Sequence, residues 1–168
     1  SGLVGSEMCI RDRSYDIQSG RWQKIGIRNE EQECKFVSSV IYKDKLYLIP
    51  ALYKYIVRVN LKTYSVAYLE HIYAEYAALS SEEACRFACN YARCREVLYI
   101  AEQQTNLMLR FDLATEKYTW LQIGNPGQIW LASAWDGTYF YFVPLTQGRL
   151  LRWDGQDEYV EYDFPDDC

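Results

Sequence analysis

The chain has 168 residues, with 18 Lys and Arg against 23 Asp and Glu and a formal net charge of -5. This mildly acidic balance, without any block of Lys or Arg, argues against a nucleic-acid partner. No apolar run approaches the roughly 18 residues a membrane-spanning helix needs, so no membrane partner is expected, and the sixteen tyrosines and five tryptophans, set in alternating runs, fit half-buried strands.

The opening SGLVGSEMCIRDR, residues 1–13, is set aside. Within it Leu3–Asp12, LVGSEMCIRD, resembles one reading frame of a transposase sequencing adaptor, and segments of that kind are excluded from fold reasoning. Met8 then drops out and the next methionine is Met108, so the natural N-terminus is expected upstream. Residues 14–168 amount to one domain by length. Five cysteines remain there, Cys34, Cys85, Cys89, Cys94 and Cys168. An odd count, three of them within ten residues, is the pattern of reduced cytosolic thiols rather than of a disulfide framework.

One stretch occurs three times without gaps: Leu46–Asn60 (LYLIPALYKYIVRVN), Leu98–Asp112 (LYIAEQQTNLMLRFD) and Phe140–Asp154 (FYFVPLTQGRLLRWD). Tyr47, Tyr99 and Tyr141 align, as do Arg58, Arg110 and Arg152, at spacings of 52 and then 42 residues. A fixed-order motif returning at such intervals marks a repeat architecture. Ser14–Ile25 matches the end of a repeat, since Tyr15-Asp16-Ile17 aligns with Phe111-Asp112-Leu113. Three fuller units follow at about 36–69, 87–121 and 130–162, each with four short strand candidates. In the first these are Phe36–Ile41, Leu46–Pro50, Ile56–Asn60 and Val66–Leu69.

Turns are expected at Lys43-Asp44, around Arg95-Glu96, and at Asp136-Gly137, the last a type I′ hairpin signal that requires positive φ at both central residues. The first strands, FVSSVI, FACNYA and WLASAW, place Ser39, Asn90 and Ser133 in register. The link Glu70–Arg86 is nine residues longer than Gln122–Ile129, and one extra residue is assigned to the first turn of the second unit. Ser80 with Glu83 has capping-box spacing, which suggests either a short helix there or a loop. Four antiparallel strands per unit predict an all-β fold, a partial β-propeller of about three blades plus the tail of a preceding one.

These units resemble kelch-like propeller repeats: an aromatic or apolar third strand ending in Asp or Asn, then a fourth strand with Trp22, Val66, Tyr118 or Val160. Leu151–Gly155 running to Glu161–Pro165 also resembles repeats of the virginiamycin B lyase propellers. Those enzymes use a His and a metal ion. The only His here, His71, lies in the longer link and matches no such motif, so no catalytic residue carries over.

Arg58, Arg110 and Arg152 can present guanidinium forks to an anionic ligand; alternatively, each serves its own sheet by pairing with a carboxylate such as Asp112 or Asp154. Ser39, Asn90 and Ser133 can line a channel and touch a ligand, or hydrogen-bond the adjacent strand. Cys85, Cys89 and Cys94 lack the paired spacing of a zinc site and read as filler. Neighbouring His71 and Glu70 would point apart on a strand. No catalytic triad, phosphate loop or metalloprotease motif is present, so no cofactor, metal or catalytic residue is assigned. The expected function is a non-enzymatic binding or scaffold propeller for a protein or small molecule; the alternative is a lyase-type enzyme whose catalytic residues lie on further blades. A partial ring leaves two unit faces uncovered. Residues 14–168 expressed alone are therefore expected to self-associate, and a monodisperse, cooperatively melting monomer would contradict that.

Overall fold

The computed structural model describes residues 13–28, 35–80, 85–88, 90–145, 148–156 and 158–163. Residues 1–12, Cys34, Cys89, Cys168 and the Glu83 half of the suggested capping box lie outside them. Two compact units divide near Tyr73.

The first unit holds the hairpin β1 (Arg13–Asp16) and β2 (Arg21–Lys24), then an antiparallel sheet of β3 (Phe36–Tyr42), β4 (Lys45–Pro50), β5 (Val57–Asn60) and β6 (Val66–Tyr68). Strand alternation puts Leu46, Leu48, Val57 and Val59 on one face. They form a core with Tyr53 and with Ile25 and Ile27, which follow β2.

The helix α1 (Glu70–Leu79) opens in the first unit and continues into the second. Ser80 follows the end of this helix, its amide donating to the Tyr76 carbonyl at 2.9 Å, and the segment that the Ser80–Glu83 spacing would cap lies outside the described residues. Tyr76 is fully buried, its ring 5.4 Å from that of Trp120. One buried aromatic anchors the second part of the helix.

The second unit contains two four-stranded antiparallel sheets. The first comprises β7 (Ala92–Cys94), β8 (Val97–Ala101), β9 (Leu107–Asp112) and β10 (Tyr118–Gln122); the second comprises β11 (Trp130–Trp135), β12 (Phe140–Pro144), β13 (Leu150–Trp153) and β14 (Tyr159–Tyr162). One face of the first presents Tyr99, Ala101 and Met108; the facing side of the second presents Phe140, Phe142, Leu151 and Trp153. These side chains share one buried core. Because each sheet adds its strands in sequence order from β3, β7 and β11 outward, all three follow one pattern, the predicted all-β repeat.

Register fixes three details differently from the sequence expectation. Tyr42 pairs with Lys45 and Cys94 with Val97, so the first turns of both sheets have equal length. The extra residue instead falls between the Phe87–Glu102 bridge and Ala92, where the inner strand is interrupted. Because of that interruption Asn90 has no strand partner among the described residues of the kind that Ser39 has in Leu48 and Ser133 in Phe142: strand pairing in this sheet begins at Ala92, opposite Tyr99. Trp153 pairs with Tyr159, so Tyr159 rather than Val160 is the counterpart of Trp22, Val66 and Tyr118. The turns also differ from type I′. Each carries a single positive φ, at Lys43 (53°), Arg95 (56°) and Gly137 (104°). Asp136-Gly137 sits in a longer connection, where Asp136 Oδ1 accepts from the amides of Thr138 and Tyr139.

The Asn or Asp closing each motif has a local task. Asn60 Oδ1 accepts from the amides of Lys62 and Thr63, Asp112 Oδ1 from Ala114 and Thr115, and Asp154 Oδ1 from Gln156 and Glu158. Each side chain thus satisfies turn donors that the strands cannot reach. These bonds, that of the Thr115 amide foremost, hold the Asp112 carboxyl below its ordinary value. A lowered carboxyl contributes stability above the usual carboxylate range and loses it as pH falls through the folded value. Asp112→Ala is expected to lower Tm at neutral pH by a few degrees, whereas Asp112→Asn keeps the acceptor, as Asn60 does, and removes part of the acid sensitivity below about pH 4. Thermal melts of the three proteins across pH check this, and equal losses for Ala and Asn would contradict it.

Candidate functional site

A cleft of about 620 Å³ opens within the second unit. Its floor comes from Tyr99, Arg110 and Asp112 on neighbouring strands of one sheet; its walls come from the Cys94–Val97 turn and from Trp135 and Gly137 of the other. That volume is in the range of small-molecule sites. Tyr99 pairs with Arg110 across β8 and β9, and Thr119 pairs with Arg110 from β10, so register alone aims the guanidinium.

The three equivalent arginines occupy the same register, opposite Tyr47, Tyr99 and Tyr141. Their surroundings differ. Arg152 lies over the Tyr139 ring at 4.5 Å and near that of Tyr162 at 5.5 Å. The register counterparts of those tyrosines beside Arg110 are Val97 and Leu121, which offer no π face. Among the described residues no hydrogen bond, ion pair or ring contact engages the Arg110 side chain. Its charge helps to hold down the Asp112 carboxyl, whose Oδ1 already accepts from two amides. Arg58 is half-buried in the first unit and has a partner of its own. Arg110 and Arg152 do not converge: they lie on corresponding faces of two stacked sheets, with the β11–β14 sheet between them.

Asn90 and Ser133 do meet. Asn90 Oδ1 accepts from the Ser133 amide at 3.0 Å, and Ser133 Oγ lies 3.5 Å from the Tyr99 carbonyl. The pair therefore ties one inner strand to the next sheet. Ser39 is exposed on β3. Cys85 and Cys94 are free thiols; Cys94 is half-buried at the cleft rim, while burial and then the Glu102 charge push the Cys85 thiol well above its ordinary value, leaving it unreactive. Among the described residues no three His, Cys, Asp or Glu side chains gather as a metal site. Glu70, beside His71, opens α1 and pairs with Arg28 at 3.1 Å. No helix among the described residues is long and apolar enough to cross a membrane.

Sequence reasoning did not single out Tyr99 or Trp135 as site residues, nor did it find Glu102. The Glu102 carboxylate is fully buried after β8. It accepts from the amides of Arg86 and Gln104 and from Thr105 Oγ1, at 2.8–3.0 Å. Burial pushes its pKa up while those three donors pull it down, and burial prevails. A raised folded pKa makes the contribution to stability full below the unfolded value and lost as pH rises through the folded one. Glu102 is thus a structural brace for the loop rather than an acid poised over a cavity. Chemical unfolding is expected to show a component of stability that grows as pH falls from 7 toward 4 and vanishes in Glu102→Gln; the same component persisting in the variant would assign it elsewhere.

No protein-family model and no curated protein matches the chain. Solved structures do. Virginiamycin B lyase from Staphylococcus aureus superposes with a TM-score of 0.64 at 12% identity over 88% of this chain, as does its catalytically inactive variant with quinupristin. The extracellular domain of a one-component system from B. thetaiotaomicron matches with a TM-score of 0.55 at 15% identity over 74% of this chain. The chain spans 47% of the lyase and 16% of that extracellular domain. At these identities the likeness shows the fold alone: the three four-stranded sheets are those of a partial β-propeller.

Proposed function

We propose that this partial propeller is a binding module, and that its site is the cleft at Arg110. Residues 14–168 are read as part of one propeller domain with kelch-like repeats, blades at about 36–69, 87–121 and 130–162, and the tail of a preceding blade at the start. One observation carries the binding reading: a cleft of small-molecule size, lined also by Tyr99 and Trp135, holds the Arg110 guanidinium, which no described side chain hydrogen-bonds, ion-pairs or stacks on. Propellers host both binding and catalysis, so the fold itself does not choose between them.

A second reading has its own support. It is a lyase-type propeller with catalytic residues on blades beyond this chain, a reading compatible with the fold shared with virginiamycin B lyase. The two readings separate in one experiment on the longer protein that carries those blades. Amide resonances are followed during titration with a panel of cationic, neutral and anionic small molecules, and quinupristin is incubated in parallel. Shifts centred on Tyr99, Arg110 and Trp135, with the quinupristin peak unchanged by liquid chromatography, are expected. Shifts confined to other regions, or loss of quinupristin, would overturn the proposal.

A further inference from the structure

We infer that the cleft takes a monocarboxylate carried on a flat apolar body, an inference that rests on the cleft being the binding site. The charge on Arg110 is the starting point. A half-buried guanidinium with five donors is normally satisfied by a carboxylate, a carbonyl or an aromatic face. In the β11–β14 sheet the equivalent Arg152 has two aromatic faces. Around Arg110 the same two positions are aliphatic, and the nearby carboxylate is held by its own turn. The fork is therefore left for a partner of complementary shape, and a carboxylate matches it with two parallel bonds.

Charge balance narrows the class. Arg95 and Arg110 are offset around the cleft by Glu96 and Asp112. A single negative charge seated on Arg110 is favoured, while a dianion such as phosphate meets the two carboxylates as well. The rest of the wall is the Tyr99 and Trp135 rings with Val97, surfaces that favour an apolar, preferably planar body.

The test uses the full chain and three probes, benzoate, benzamide and inorganic phosphate, titrated while Trp fluorescence and amide resonances are recorded. Benzoate is expected to bind more tightly than benzamide or phosphate, with shifts at Tyr99, Arg110 and Trp135. Arg110→Gln is expected to weaken benzoate about tenfold, the worth of one charge-assisted pair, and to leave benzamide unchanged. Arg110→Lys keeps the charge without the fork and is expected to fall between the two; it also serves if the Gln variant folds poorly, which the Tm of each variant reports. Benzamide binding in the cleft as tightly as benzoate would overturn the anion preference and leave the cleft as a site. Phosphate binding as tightly as benzoate would overturn the monoanion and the flat body. Absence of shifts in the cleft with any probe would overturn this inference and the binding reading together.

Discussion

The second unit depends on one contact, the Tyr99 ring against the Phe140 ring, with centroids 4.2 Å apart. Trp153 meets the same Tyr99 ring edge-on at 5.9 Å. Neither sheet can be stable alone, because each presents a wide apolar face that only another apolar face can cover. Stacking them buries Phe142, Leu151 and Met108 completely, and truncating a buried Phe to Ala in such a place costs about 3–5 kcal/mol. The inner strands add the Asn90–Ser133 bond, which fixes how far one sheet slides on the next.

The same packing creates the cleft. Trp135 continues the aromatic side of β11, its ring 4.4 Å from Phe140, and so reaches the cleft opposite Arg110. The repeat supplies an arginine in each sheet, yet its use is set by two neighbours. Tyr139 and Tyr162 hold Arg152, while Val97 and Leu121 leave Arg110 to the cleft. A position shared by every repeat is usually structural, and Arg152 follows that rule. The proposed binding role falls on the copy that lacks the aromatic partners of Arg152.

Much of this was readable from residues alone. Alternating Tyr, Leu and Val runs announced the strands, because the period of two is imposed by the pleat, and the three aligned motifs announced equivalent sheets. The Asn or Asp ending each motif was visible as a repeat feature, but its role as acceptor for turn amides needed the backbone path. The stretch leading into β7 misled most. Its extra residue interrupts the strand rather than lengthening the turn, which sequence counting cannot distinguish, so Asn90 falls outside the paired strand. The cleft was not legible because Trp135 and Arg110 are 25 residues apart in sequence and meet only through sheet stacking. Glu102 was hidden for the same reason: nothing in the sequence says that a carboxylate after Ala101 is buried.

The most direct measurement is a double-mutant cycle between Tyr99→Leu and Phe140→Leu, read by chemical unfolding of the full chain. Face-to-face stacking of the two sheets predicts a coupling of about 0.5–1.5 kcal/mol, the range for an aromatic pair in contact. Additivity within about 0.3 kcal/mol would mean that the two rings do not touch, and the stacked faces, the cleft between them and the isolation of Arg110 would fall together.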